Sequence, residues 1–215
     1  MRYKTVIFDL DGTLLDTLDD LAAATNYALA QHGLPLRTQD EVRWFVGNGI
    51  RKLIERALPT GTTAEVQEAV YATFNKYYKQ HCNDATQSYA GVKELLAELR
   101  SAGCKTAIVS NKADYGVQEL VKRYFADNLD AACGERTGIA KKPAPDMLLA
   151  VMQQLGAEKS ETIYVGDSDT DLETARNAGV PCIGACWGFR GREFLVQHGA
   201  EQLAETPGEV LELLK

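Results

Sequence analysis

The sequence predicts an α/β protein, a doubly wound parallel sheet interrupted after its first strand by an all-helical segment. Two observations carry this expectation. Short apolar runs bounded by Gly, Asp, Ser or Asn alternate with helical patterns, at Val6-Ile7-Phe8, Thr106–Val109, Thr162–Val165 and Pro181-Cys182-Ile183-Gly184. Runs of this length and apolarity suit strands covered on both faces of a parallel sheet. The alternation then fails between about Asp16 and Gln80, where helical patterns follow one another with no convincing strand.

Taken in order, the first strand is Thr5 to Phe8, ended by Asp9, an apolar run too short for a secretory leader. Thr17-Leu-Asp-Asp20, Thr38-Gln-Asp-Glu41 and Thr62-Thr-Ala-Glu65 each read as a helix start, with a hydroxyl to cap a free N–H and an acid to complement the dipole. In the last of these helices Val66, Ala69, Val70, Thr73, Phe74 and Tyr77 follow helical spacing and are expected core positions. The expected domains are therefore a core of residues 1–15 and 83–215 and a helical insertion of residues 16–82, with a hinge where the chain crosses twice, near Leu14–Thr17 and His81–Ser88. Beyond it, Gly91 to Ala102 places Val92, Leu95, Leu96 and Leu99 on one helix face. A final helix, Pro207 to Leu214, turns Val210, Leu211 and Leu214 toward the sheet.

Composition excludes several classes. Hydrophobic residues at 45% and charged residues at 25% are the balance of an ordinary folded chain. A formal net charge of -7 argues against nucleic-acid binding, which depends on clustered Lys and Arg. No apolar stretch approaches the roughly 20 residues of a membrane span, so the expected location is the cytoplasm. The five cysteines (Cys82, Cys104, Cys133, Cys182, Cys186) are odd in number and form no CxxC pair, which points to reduced thiols rather than disulfides or zinc. His32, His81 and His198 share no ligand spacing, and Trp44 and Trp187 read as packing residues, with Trp44, just before Gly47-Asn48-Gly49, also placed to line the helical insertion.

Chemistry concentrates at four strand ends. Asp9 and Asp11 follow the first strand at i and i+2, which puts both carboxylates on one side of an extended chain. Two like charges at 4 Å repel by about 4 kcal/mol at an effective dielectric near 20, a cost that a cation or a proton removes. Alone, the pair reads equally as a polar turn, since Asp-Gly is common in turns. Gly166-Asp167-Ser168-Asp169-Thr170-Asp171 follows a later strand and places Asp167 at a position equivalent to Asp9. A few hard oxygen ligands suit magnesium rather than zinc. Asp169 and Asp171 also fit as acids of a helix first turn. Ser110-Asn111 brings a hydroxyl and N–H groups to an expected helix entrance, and Lys142 brings a cation ahead of a proline-started helix.

The four motifs, Asp9-Leu10-Asp11-Gly12-Thr13, Ser110-Asn111, Lys142-Pro143 and Gly166 to Asp171, resemble in order those of the haloacid dehalogenase superfamily. The resemblance implies a Rossmann-like core with an inserted all-helical cap domain. It implies a magnesium-dependent phosphatase in which Asp9 is the nucleophile and Asp11 the general acid and then base. It further implies that Ser110 and Lys142 hold the phosphoryl group, with Thr13 and Asn111 in the same phosphate-binding set. Magnesium would take Asp9, the Asp11 carbonyl and Asp167, with Asp171 as a supporting ligand. Dehalogenases need neither a metal nor a proton donor at Asp11, and the ion pumps of the superfamily carry Lys at the position of Leu10.

Within the superfamily the pattern is most similar to phosphoglycolate phosphatases. That similarity rests on Val46-Gly47-Asn48-Gly49 opening a helix, on Ser110-Asn111-Lys112, and on Cys186-Trp187-Gly188-Phe189. It implies that Asn48 meets the distal end of a small phosphorylated metabolite such as 2-phosphoglycolate, while a purely structural Gly-Asn-Gly turn stays open. The other readings are a pyrophosphatase or 5'-nucleotidase of the same superfamily, a phosphomutase of the β-phosphoglucomutase type, and a non-catalytic phosphate-sensing scaffold. The protein is expected as a monomer or homodimer, with neither nucleic acid nor membrane as a partner.

Overall fold

A computed structural model describes residues 1–215, Asp127 by its backbone alone. Strand β1 (Thr5–Phe8) leads through a tight turn to the two-residue β2 (Leu15–Asp16). Four helices follow, α1 (Leu18–Gln31), α2 (Gln39–Phe45), α3 (Ile50–Ala57) and α4 (Ala64–His81), and β3 (Gln87–Ser88) returns. The chain then alternates through α5 (Val92–Ser101), β4 (Lys105–Ala113), α6 (Asp114–Tyr124), β5 (Ala131–Glu135), α7 (Asp146–Leu155) and β6 (Thr162–Gly166). It ends with α8 (Asp169–Ala178), β7 (Cys182–Ala185), α9 (Gly191–Gln197), β8 (Gln202–Ala204) and α10 (Pro207–Leu213). Two compact units result, Met1–Leu15 with Ser88–Lys215, and Asp16–Gln87.

In the first unit six strands form a sheet in the order β5-β4-β1-β6-β7-β8, with every pair parallel. The chain builds outward from β1 on one side and then, from β6, outward on the other. Ligand sites of open α/β sheets lie beyond the strand ends at such a reversal. Alternation along β1 explains the two layers. Val6 and Phe8 join Leu95, Leu96 and Leu99 of α5, Val117 and Leu120 of α6, and Val210 of α10. Ile7 faces the opposite way, onto Met147, Leu148 and Val151 of α7 and Ala175 of α8. The fold is the α/β class that the sequence predicts.

Two strands of this sheet escaped the sequence pattern, as did the short β2 and β3. β5 reads Ala-Ala-Cys-Gly-Glu, with no β-branched residue, and β8 is a three-residue edge. Gly134 of β5 is needed for close approach, since a Cβ there would lie 2.5 Å from Asp114 Cα. β4 runs on through Ser110-Asn111-Lys112 to Ala113, with a shift of register after Val109. These polar residues are therefore strand, and the helix expected beside Ser110 starts only at Asp114.

In the helical unit one of the three expected helix starts is a full capping box, in which Glu41 N donates to Thr38 Oγ1 (3.2 Å) and Thr38 N to Glu41 Oε2 (2.7 Å). At α1 the side chain of Thr17 does not cap, and Asp16 Oδ1 accepts from Leu18 N instead. Asp20, expected to serve the dipole, turns inward and accepts from Ala85 N (2.9 Å), Thr86 N (2.9 Å) and Thr86 Oγ1 (2.6 Å), tying the return segment to α1. At α4 the cap is Thr63 rather than Thr62, whose hydroxyl donates to Pro59 O. The buried stripe of α4 is Val70, Phe74 and Tyr78, while Val66 is exposed. The 3.6-residue period is satisfied by either tyrosine of the pair, and Tyr77 instead stacks on Tyr27 with ring centres 4.1 Å apart. Trp44 is exposed, contrary to its expected packing role.

Candidate active site

The site grows from the ends of β1, β4 and β6. Asp9 N donates to Val165 O (2.9 Å), which stitches the end of β1 to β6. The turn then closes on itself, with Thr13, Leu14 and Leu15 N–H groups all donating to Leu10 O. Gly12 takes φ +90°, and a Cβ there would lie 2.5 Å from Asp167 Oδ2, so only glycine allows this turn against this carboxylate. Gly166 does the same for Asp171, whose Cβ a side chain at 166 would strike.

Lys142 is the hub. Its Nζ lies 2.8 Å from Asp9 Oδ1, 2.6 Å from Asp171 Oδ1 and 3.0 Å from Tyr164 Oη. Asn111 Nδ2 donates to the Lys142 carbonyl (3.0 Å), fixing the backbone from which this cation projects. Asp171 spends both oxygens on neighbours: Oδ1 accepts from Lys142 and Tyr164, and Oδ2 from Ser168 N (3.1 Å) and Ser168 Oγ (2.6 Å). Asp167 accepts from Thr13 Oγ1 (3.3 Å) at one oxygen and from Phe189 N (2.7 Å) at the other. Ser110 is buried in β4 and accepts from Lys112 N (3.2 Å).

Lys112, given no role by the sequence, is buried and places Nζ 2.9 Å from Asp11 Oδ1. Gly116 makes room for its stem, since a Cβ there would lie 3.4 Å from Lys112 Cε. The motif Ser110-Asn111-Lys112 carried the signal, because residues i and i+2 of a strand share one side.

Four carboxylates, Asp9, Asp11, Asp167 and Asp171, thus face two ammonium groups, leaving two formal negative charges in a buried space. Burial pushes the Asp9 carboxyl up to about 7 despite the attraction of Lys142, with Asp171 adding to the rise. Burial and then Asp171 also drive Asp167 well above the usual carboxylate range. Burial opposes the charge on Lys142, but Asp171 and Asp9 outweigh it and raise its affinity for the proton. A divalent cation would remove the imbalance. The donors fit one: a carboxylate oxygen from each of Asp9, Asp167 and Asp171 lies within 4.8 Å of the others, and all are hard oxygens. Asp9 Oδ1 is buried with the Lys142 ammonium as its partner, and it keeps a further acceptor direction open to a cation. Asp171 has none to spare and serves instead to hold Lys142 and Ser168.

The structure therefore gathers Asp9, Asp11, Thr13, Ser110, Asn111, Asp167 and Asp171 at or just beyond the ends of β1, β4 and β6 in one unit, while Lys142, expected at a strand end, reaches them from the loop between β5 and α7. Asn48 belongs to the helical unit. There Arg56 donates to Asn48 Oδ1 (2.6 Å) and to Phe45 O (2.8 Å), holding the Gly47-Asn48-Gly49 turn from the far end of α3. Sequence reasoning passed over Tyr164, Lys112 and the Phe189 N–H. The first lay inside a strand, and the last is a backbone group that no residue type announces.

Residues 6–185 match the model of the haloacid dehalogenase-like hydrolases, and the chain belongs to this family. It is 35% identical to a phosphoglycolate phosphatase of Pseudomonas putida, over 99% of this chain and 77% of that protein. It is also 32% identical to an N-acetylmuramic acid 6-phosphate phosphatase of Pseudomonas aeruginosa, over 100% of this chain and 96% of that one. A crystal structure from Lactobacillus delbrueckii subsp. bulgaricus, provisionally named a phosphoglycolate phosphatase, superposes with a TM-score of 0.95 at 36% identity, covering 100% of this chain and 99% of that one. Among the described residues no helix is long and apolar enough to cross a membrane.

Proposed function

We infer that this phosphoric monoester hydrolase works through an aspartyl-phosphate on Asp9, requires magnesium, and takes 2-phosphoglycolate as its substrate. The observation that carries the mechanism is the buried grouping of Asp9, Lys142 and Asp167 with Asp11 two residues from the nucleophile. Asp9 attacks phosphorus, forming the P–O bond to its carboxylate as the ester P–O bond breaks. Asp11 gives its proton to the departing alkoxide, which leaves as the alcohol. Water then attacks the same phosphorus, Asp11 takes a proton from it, and the acyl-phosphate P–O bond breaks to return free Asp9 and inorganic phosphate.

Lys142, fixed by Asp171 and Tyr164, neutralises phosphoryl oxygens, and the Ser110 hydroxyl donates to one of them. Asp9, the Asp11 carbonyl and Asp167, with Asp171 as a supporting ligand, would hold a magnesium ion, which would supply charge neutralisation and a template for the phosphoryl group. Thr13 acts here by orienting Asp167, and Asn111 by orienting Lys142. The helical unit serves as the cap that selects the ester, with Asn48 as its contact residue.

The substrate reading is supported by relatives named as phosphoglycolate phosphatases, among them those of Pseudomonas putida, Xanthomonas campestris and Vibrio parahaemolyticus. One relative acts, by its name, on N-acetylmuramic acid 6-phosphate, which favours a second reading. Both compounds carry a carboxylate as well as a phosphate ester. A phosphate-release assay over these two, pyrophosphate and nucleoside monophosphates decides. The expected result is the highest kcat/KM on 2-phosphoglycolate, abolished by chelation. An ester preferred by tenfold or more would overturn the substrate, and a rate unaffected by chelation would overturn the mechanism.

A further inference from the structure

We propose that the segment Trp187-Gly188-Phe189, after β7, is a positioning element that clamps Asp167 and the turn at Gly12-Thr13 into one metal-binding geometry. This rests on the reading of Asp167 as a magnesium ligand. Three independent contacts converge there. Phe189 N–H donates to Asp167 Oδ2 at 2.7 Å. Trp187 Nε1 donates to the Thr13 carbonyl at 2.9 Å, reaching across 174 positions of sequence. Between them Gly188 packs so closely that a Cβ would collide with both Asp167 Cβ and the Gly12 carbonyl.

The Asp167 side chain is thus enclosed by two glycines, Gly12 and Gly188, from loops that follow different strands. Each loop also gives it a hydrogen bond, Thr13 Oγ1 from one and Phe189 N–H from the other. A ligand carboxylate loses affinity when it must be ordered at the moment of binding, and groups that orient ligands are typically worth 10- to 100-fold in metal affinity. Trp187 acts one step further out. Its indole pins the carbonyl of Thr13, and so the backbone of the turn that carries Asp11, Gly12 and the Asp167-bonded hydroxyl. The indole ring packs against the core, and the N–H that such a ring must pair is spent on this particular turn, so packing and positioning are combined in one side chain.

Trp187→Phe separates the two roles, because it keeps an aromatic ring and removes the donor. Measured by isothermal titration of the full chain with Mg2+, the variant is expected to bind about tenfold more weakly than the parent. The Mg2+ concentration for half-maximal phosphate release should rise equally, while kcat at saturating Mg2+ stays within about twofold and the metal-free melting temperature is little changed. Gly188→Ala is the harsher form, expected to lose about 100-fold in Mg2+ affinity; should it fail to fold, Trp187→Phe decides alone. Unchanged Mg2+ affinity in Trp187→Phe, with the parent binding magnesium, overturns this inference and leaves the proposed function standing. A parent chain that binds no magnesium overturns both.

Discussion

The charge cluster around Asp9 and the turn around Asn48 use similar backbone devices for different ends. Each is framed by glycines at positive φ, Gly12 at +90° in one and Gly47 and Gly49 at +119° and +84° in the other. In the cluster the charges are buried and shared: Lys142 serves Asp9 and Asp171 at once, and its side chain is 2% exposed. At Asn48 one exposed guanidinium, Arg56, holds a partly exposed amide by a local bond within α3 and its approach. A shared buried charge cannot be altered without stranding its partners, because desolvation leaves no water to replace them. A half-exposed turn can change its side chains at small cost. The cluster is therefore bound to one set of charges, whereas the Asn48 turn is held by an exposed side chain and its bonds.

The first and largest test of that contrast is Asp9→Asn, which removes the proposed nucleophile and is expected to lower phosphate release by at least about 10⁴-fold, measured in single-turnover and steady-state assays. Next comes Asp171→Asn. It strips Lys142 of its shortest ion pair and should lower stability by about 3 kcal/mol in urea titration, with a loss of kcat as Lys142 loosens. If stability is unchanged, the buried network is not the scaffold described.

A smaller effect concerns pH. The folded protein holds a proton on Asp9 up to about 7, where an unfolded chain has released it from about 3.8. Native Asp9 therefore binds more protons than the unfolded state across that window, so its contribution to stability falls as pH rises from about 4 to 7. Magnesium needs the ionised carboxylate and should oppose this. Melting temperatures with and without Mg2+ at pH 5.5 and 7.5 should show the larger magnesium shift at the higher pH, and an equal shift would contradict it. The smallest effect is expected in the helical unit. Arg56→Ala should release the Asn48 turn and raise KM for 2-phosphoglycolate by about tenfold or less with kcat retained. A fall in kcat as large as that of Asp171→Asn would erase the contrast between the two regions.

Much of the site was legible because strands place their chemistry at their ends. Asp9, Asp167 and Ser110 stood out as polar groups just past apolar runs, Lys142 as a cation ahead of a proline-started helix, and the helical block as a break in alternation. β5 did not, because Ala131 to Glu135 lacks the branched residues that mark a buried strand. Asp171 read equally as a helix first-turn acid, and it is one: its capping bonds to Ser168 coexist with its ion pair to Lys142. Helix position accounts for only half of what that carboxylate does.

What the sequence determined by itself is local in origin: the parallel strands, the insertion after the first of them, and the residue types at each strand end. These follow from periodicity, turn chemistry and the placing of acids and hydroxyls along one chain. Tertiary structure alone decided which charges meet. The pairing of Lys142 with Asp171, of Lys112 with Asp11, and of the Phe189 N–H with Asp167 joins segments 29, 101 and 22 positions apart. Such contacts depend on sheet order and on close backbone approach at Gly12, Gly166 and Gly188. Neither is written in the spacing of any one segment, because both arise only when separate strands are packed side by side.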